Sequence, residues 1–108
     1  MIANAERAWD RLTSAPLPKK GSLSFCGTIQ EAVDGAVFIE ECIPENLELK
    51  RKILNEIETG AATDAPIGSS TSGIRPSEMQ SEMKHPERLL VTHPFNPVNL
   101  LPLVELCG

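Results

Sequence analysis

A strand of the buried type followed by an amphipathic helix is the feature that most limits how this chain can fold. Residues 36–44, AVFIEECIP, begin with an apolar run typical of a parallel strand buried on both faces, and Pro44 ends it. Over residues 45–61, apolar side chains recur every three to four positions and predict an amphipathic helix that ends at Gly60. The apolar positions are Leu49, Ile53, Leu54 and Ile57.

The rest of the chain continues this alternation. Thr28 and Glu31 stand in the arrangement of a capping box, which predicts a helix start. Pro76 suits the first turn of a later helix. Further strands are predicted over 23–27, 88–93 and 100–108, a strand that runs into a small polar turn over 64–73, and further helices over 1–14, 28–35 and 74–83. Strands that alternate with helices predict an α/β domain with a mostly parallel sheet.

Size and composition exclude several classes of protein. A chain of 108 residues holds one small domain or part of a larger one. A net charge of -5 argues against a protein that tracks nucleic-acid phosphates. No stretch reaches the roughly 20 apolar residues of a membrane span, and the N-terminus lacks a signal peptide's apolar core. We therefore expect a cytoplasmic protein without nucleic-acid or membrane partners.

The three cysteines indicate neither a disulfide framework nor a metal site. They are odd in number, widely spaced and form no CxxC pair. We expect Cys26, Cys42 and Cys107 to pack as small hydrophobic residues.

Polar clusters follow three of the predicted strands. They span residues 41–46, 69–72 and 93–96. Ligands of parallel α/β sheets bind beyond the carboxyl ends of the strands, so these clusters are expected to lie at one edge of the sheet. A histidine beside prolines, or a serine-rich turn, is more often structural when taken alone. Their coincidence at strand ends is what predicts a site.

A glycine-rich phosphate loop is missing from the sequence. Neither GxGxxG nor a looser relative occurs in the 108 residues. If this is a dinucleotide-binding domain, its first strand and its phosphate turn are absent.

Three motifs carry a resemblance to a known family. The runs ECIPENLELK, GSSTSG and HPFNPVNLLPLVEL are similar, in order and spacing, to the 3-hydroxyacyl-CoA dehydrogenase superfamily. The resemblance covers nearly the whole chain. It implies an incomplete Rossmann-like, mostly parallel sheet over residues 1–108, without the first strand with its glycine loop and without the helical C-terminal domain. It also implies NAD as the cofactor and a homodimer when the protein is complete.

Departures from the acyl-CoA pattern bear on the substrate. Acyl-CoA members typically read SNTSS and HFFNP, with a lysine before the glutamate motif, whereas Ser70, Gly73, Pro94 and Pro102 stand at those positions here. This pattern resembles the carnitine dehydrogenase branch. A sugar-acid branch, of the L-gulonate 3-dehydrogenase type, and the acyl-CoA enzymes themselves remain open as alternatives.

The chemistry expected of such a site can be assigned to residues. Oxidation of a secondary alcohol sends a hydride to the nicotinamide and a proton to a base, a role that imidazole suits, so His93 is the expected base. Glu105 would fix its tautomer and stabilise the imidazolium. We expect the chain to turn through the prolines and return as a neighbouring strand.

The resemblance implies the remaining roles. Ser72 would hydrogen-bond the substrate, and Asn96 would help hold nicotinamide and substrate together. Glu45 and Lys50 match cofactor-contacting positions, although a helix-start acid and a solvated lysine are their ordinary structural interpretations.

Two expectations remain on the substrate pocket and on activity. Carnitine's quaternary ammonium favours an aromatic cage, yet Trp9, Phe25 and Phe38 are expected in the core, so the pocket would be completed elsewhere. A non-catalytic, truncated module is the alternative from a different class, and we expect the isolated chain to be inactive.

Overall fold

The computed structural model describes Arg7 and residues 19–98 and 100–108. The helix predicted over 1–14, including Trp9, lies outside these residues apart from Arg7, which is helical. In chain order the elements are α1 (Ile29–Val33), β1 (Ile39–Glu41), α2 (Leu47–Gly60), β2 (Ile67–Ser69), α3 (Pro76–Gln80), a 3-10 turn (Pro86–Arg88), β3 (Leu89–Pro94) and β4 (Val104–Cys107). Within the described part, no helix has the length and hydropathy that crossing a bilayer requires.

The four strands form one mostly parallel sheet in the order β1-β2-β3-β4. β1, β2 and β3 run parallel, with Ile39 beside Ile67 and Ile67 beside Leu89, whereas β4 pairs antiparallel with β3. The predicted fold class, α/β with a mostly parallel sheet, is confirmed. The alternation of strand and helix in the sequence predicts this result because parallel neighbours require a crossover between them.

Two helices begin at the residues that the sequence indicated, Thr28 and Pro76, and the structure adds Asn46 as the cap of α2. Thr28 caps α1 by accepting a hydrogen bond from the Glu31 N–H at 3.2 Å. The Glu31 carboxylate accepts from the Gly27 N–H at 2.9 Å, one residue before the position that a capping box uses. Asn46 caps α2 by accepting from the Leu49 N–H, and Pro76 lies in the first turn of α3.

The core lies between the helices and one face of the sheet. It includes Leu54, Ile67 and Met79, all fully buried. The buried side of α2 consists of Lys50, Leu54 and Ile57, whereas Leu49 is exposed. The prediction that Leu49 belongs to the buried face was therefore wrong, and the next residue, Lys50, is buried instead. Periodicity alone did not reveal this rotation because the core-facing position holds a lysine.

Residues 23–27 form no strand, contrary to the prediction. No backbone hydrogen bond joins them to any described strand. A short segment of high strand propensity does not form a strand without a neighbour to pair with. Phe25 and Phe38, which were expected in the core, are both exposed. The cysteines were also wrongly assigned to the interior, since Cys26, Cys42 and Cys107 are all exposed.

The face of the sheet that points away from α2 and α3 is largely apolar and open. It carries a hollow of about 580 Å³ lined by Phe38, Leu90, Val104 and Leu106 among others. Glu40 reaches across β2 on this face, and Thr92 Oγ1 donates to its carboxylate at 2.7 and 2.8 Å. A Cβ at Gly68 would collide with both Glu40 and Thr92, so glycine is required where this bridge crosses the strand.

Candidate functional site at the carboxyl ends of the strands

The antiparallel pairing of β3 with β4 places His93 directly opposite Glu105. Residues opposite each other on neighbouring strands project from the same face of a sheet, so the imidazole and the carboxylate lie side by side. Nδ1 of His93 is 3.7 Å from Oε2 of Glu105. The prediction that the chain returns through the prolines as a neighbouring strand is confirmed. Because Nδ1 faces the carboxylate, Nε2 is the ring nitrogen left for another partner.

A cleft of about 300 Å³ opens beside this pair. Val91, His93, Glu105 and Cys107 form one wall, because side chains two residues apart on a strand share a face. The other wall is the segment that follows β2, from Thr71 through Pro76. His93 and Glu105 are 33% and 64% exposed, so a ligand in the cleft can reach both.

Glu45 fixes the turn that brings Ser72 to this cleft. Its Oε1 accepts hydrogen bonds from the Thr71 hydroxyl and from the Gly73 N–H, the latter at 2.9 Å. These two residues flank Ser72, which lines the cleft. The hydrogen bond from Thr71 is the main reason that the pKa of Glu45 lies below its ordinary value, with smaller contributions from the Gly73 N–H and the Lys50 ammonium, while partial burial opposes the shift.

A buried ion pair lies beneath the same turn. The Lys50 ammonium donates to both oxygens of Glu41, at 2.7 and 2.9 Å, and to the Ile43 carbonyl oxygen at 3.2 Å. Glu41 also accepts from the Ser69 hydroxyl at 2.6 Å and from the Ile43 N–H at 2.6 Å. Lys50 is 1% exposed, so its interpretation as a solvated lysine is wrong.

Lys50 links the two carboxylates of the first polar cluster. Besides its contacts with Glu41, its ammonium lies 3.8 Å from Oε2 of Glu45. The polar clusters after β1 and β2, predicted to lie at one edge of the sheet, are therefore joined by Lys50, by the Ser69 bond to Glu41 and by the Thr71 bond to Glu45.

Asn96 lies apart from the cleft. It is exposed in the loop between β3 and β4, and it is not among the residues that line the cleft. The Asn96–Pro97 peptide bond is cis. In the same loop the ring of Phe95 meets the His93 ring edge-on, with 6.0 Å between the ring centres.

Sequence reasoning missed several residues of the cleft. Cys107 is two residues beyond Glu105, so the alternation of strand side chains was an available signal for it. Ile74, Arg75 and Pro76 follow Ser72 directly, but the polar cluster was taken to end at that serine.

A mostly parallel sheet with helices between its strands, and a cleft at the carboxyl ends of those strands, is the architecture of a Rossmann-type nucleotide-binding domain. The chain matches the family described as 3-hydroxyacyl-CoA dehydrogenase, NAD binding domain, over residues 7–108, and it belongs to that family. The family and the cofactor implied by the sequence motifs are thereby confirmed.

The chain is similar to several carnitine dehydrogenases. It is 61% identical over 108 residues to an L-carnitine dehydrogenase/betainyl-CoA thioesterase of Rhizobium meliloti, with all of this chain and 22% of that protein covered. It is 50% identical over 107 residues to an L-carnitine dehydrogenase of Pseudomonas putida, covering 99% of this chain and 33% of that protein. The chain thus spans between about a fifth and a third of the length of these two relatives.

Solved structures share the fold. The 5-formyl-3-hydroxy-2-methylpyridine 4-carboxylic acid 5-dehydrogenase, an NAD+-dependent dismutase, matches with a TM-score of 0.83 at 33% identity, over 97% of this chain and 34% of that one. The 3-hydroxybutyryl-CoA dehydrogenase of Escherichia coli matches with a TM-score of 0.66 at 29% identity, over 69% of this chain and 16% of that one.

Proposed function

We propose that the whole protein is an NAD-dependent dehydrogenase of 3-hydroxy acids that oxidises L-carnitine to 3-dehydrocarnitine, with His93 as the general base. The observation that carries the proposal is the pair formed by His93 and Glu105 across β3 and β4, at the wall of a cleft that also contains Ser72. Residues 1–108 are proposed to be part of the NAD-binding domain.

His93 and Glu105 would act together on the proton of the substrate hydroxyl. With Nδ1 turned toward the carboxylate, Nε2 takes the proton as the alcohol becomes a ketone. The Glu105 carboxylate then stabilises the imidazolium. At 3.7 Å this contact is longer than a strong hydrogen bond, and such contacts often tighten only when substrate binds.

Ser72 is proposed to hydrogen-bond the substrate from the opposite wall of the cleft. Its position depends on Glu45, which holds the residues on either side of it. By the family motif, Asn96 is proposed to hold nicotinamide and substrate together. Because it lies in an exposed loop outside the cleft, it would contact them at the edge of the cleft.

The residues at the strand ends suit the nicotinamide end of NAD. The segment after β1 supplies the Glu45 carboxylate, which can accept hydrogen bonds from hydroxyl groups, and the segment after β2 supplies the Ser72 hydroxyl. When bound, NAD supplies the hydride acceptor. Glu45 and Lys50 are proposed cofactor-binding residues. Since the Lys50 ammonium is buried against Glu41, Glu45 and the Ile43 carbonyl oxygen, Lys50 would act by fixing the carboxylates.

The choice of carnitine rests on the relatives. The two carnitine dehydrogenases match over 100% and 99% of the chain at 61% and 50% identity, whereas the structurally similar 3-hydroxybutyryl-CoA dehydrogenase is 29% identical over 69% of the chain. A 3-hydroxyacyl-CoA is the competing substrate because the family is described by it. We further propose that the whole protein is cytoplasmic and forms a homodimer. Light scattering of the purified whole protein tests the homodimer.

Steady-state kinetics with NAD would distinguish the substrates. The whole protein is expected to oxidise L-carnitine with a kcat/KM far above that for 3-hydroxybutyryl-CoA. The control is D-carnitine, which presents the same groups with the opposite configuration and should be a poor substrate. Equal or faster oxidation of the acyl-CoA would overturn the assignment to carnitine.

A further inference from the structure

We propose that Arg75 binds the substrate's carboxylate and so selects free hydroxy acids over their thioesters. The inference rests on the proposed function, since it assigns the acid group of the substrate whose hydroxyl meets His93. The starting observation is that Arg75 lines the same cleft as His93, Glu105 and Ser72.

The charge of the cleft supports this assignment. Of the described residues that line it, Arg75 is the only lysine or arginine, whereas Glu105 contributes a carboxylate on the facing wall. Glu45, whose lowered pKa keeps it ionised, holds the turn beside Ser72. The carboxylate of a substrate that enters beside these two groups needs a cation to offset their repulsion. Arg75 is the residue of the cleft that supplies one.

The guanidinium of Arg75 is not committed to a partner within the described chain. The ion pairs of residues 19–98 and 100–108 involve Lys50, Arg51, His85 and His93, and none includes Arg75. Its backbone N–H, by contrast, donates to the Glu78 carboxylate at 3.3 Å, so the backbone of Arg75 is anchored while the residue is exposed. An anchored arginine with free donors suits a planar carboxylate, which it can bind through two parallel hydrogen bonds.

The arrangement matches the connectivity of a 3-hydroxy acid. In such a molecule the carboxylate is two carbons from the hydroxyl-bearing carbon, so one ligand can present both groups to one small cleft. The hydroxyl would meet His93 and Ser72 on the two walls, and the carboxylate would meet Arg75, three residues along from Ser72. A thioester places a neutral carbonyl where the carboxylate would lie and gains nothing from the cation.

The test compares Arg75→Gln and Arg75→Lys with the wild-type whole protein. For L-carnitine, Arg75→Gln should raise KM by about 10- to 100-fold, the scale of one charge-assisted hydrogen-bonding contact, with the KM for NAD unchanged. Arg75→Lys keeps the charge without the two-pronged geometry and should restore part of the loss. The control is Lys84→Gln, which removes an exposed cation outside the cleft.

L-carnitinamide, whose carboxylate is replaced by a neutral amide, isolates the contact. The wild type should bind the amide more weakly than L-carnitine, and Arg75→Gln should remove that preference. A KM for NAD that rises instead would assign Arg75 to the cofactor and overturn the inference. Unchanged kinetics in Arg75→Gln would overturn it while the proposed function stands. A wild type that fails to oxidise L-carnitine would overturn the proposed function and this inference together.

Discussion

Lys50 and Glu41 form a buried pair in which the ammonium lies 2.7 Å from one carboxylate oxygen and 2.9 Å from the other. The side chains of both residues are 1% exposed. Glu41 ends β1, Lys50 lies in the first turn of α2, and Ser69 at the end of β2 donates to the same carboxylate. The pair therefore joins the two strand ends that support the turn carrying Ser72.

Removal of the Lys50 ammonium should strongly destabilise the protein. Lys50→Met leaves the Glu41 carboxylate buried without a counter-charge, which typically costs about 3 to 5 kcal/mol. Lys52→Met removes an exposed lysine from the same helix and should change stability by less than about 0.5 kcal/mol. Urea denaturation of the two variants measures the difference. An equally small loss in both would show that the pair contributes little.

Glu45 should make the stability of the turn depend on acid pH. Its pKa is lowered in the folded state, chiefly by the hydrogen bond from Thr71, so its stabilising effect is present above its ordinary value of 4.5 and is lost as pH falls through the lowered pKa. Wild type should therefore lose more stability than Glu45→Gln between pH 7 and about pH 3. Glu56→Gln is the control, and thermal unfolding at the two pH values is the measurement. Parallel losses in Glu45→Gln and wild type would contradict the expectation.

His93→Gln should lower turnover with little effect on cofactor affinity. Loss of a general base costs on the order of 10²- to 10⁴-fold in kcat, and the KM for NAD should stay near the wild-type value. His85→Gln is a matched control because His85 also pairs with a glutamate, at 3.4 Å, yet lies outside the cleft. Turnover that is unchanged in His93→Gln would remove this residue from the mechanism.

Glu105→Gln should impair catalysis without unfolding the sheet. The amide leaves the imidazolium without its neighbouring charge, and loss of the carboxylate that orients a general-base histidine can lower kcat by up to about 10⁴-fold. Glu105 is 64% exposed, so its replacement should leave thermal unfolding cooperative and nearly unshifted. Glu87→Gln, at the matched pair with His85, is the control. A large drop in the unfolding temperature would instead make Glu105 a structural residue.

Residues 1–108 by themselves should bind NAD too weakly to detect at millimolar cofactor. The sequence has no glycine-rich loop to present backbone N–H groups to a pyrophosphate. The open apolar face around Phe38 and Leu106 should also favour association of the isolated chain. Calorimetric titration with NAD and light scattering test the two points. Saturable micromolar binding by a monodisperse sample would show that these residues suffice.

The sequence by itself predicted the elements whose signals are local. The polar side chain of Thr28 and the proline at position 76 mark helix starts, and apolar runs mark β1, β3 and β4. The alternation of these elements was enough for a mostly parallel sheet, because parallel strands require crossovers. The twelve-residue separation of His93 and Glu105 allowed a return of the chain as a neighbouring strand.

The tertiary structure decided what depends on partners distant in sequence. Residues 23–27 have strand propensity but no neighbour, so they form no strand. Lys50 is buried only because Glu41 and Ser69 converge on it, and Gly68 is required only because Glu40 and Thr92 meet across it. Arg75 lines the cleft because the segment after β2 lies across from β4. Such contacts come from the register and packing of separate elements, and no local pattern in the sequence encodes them.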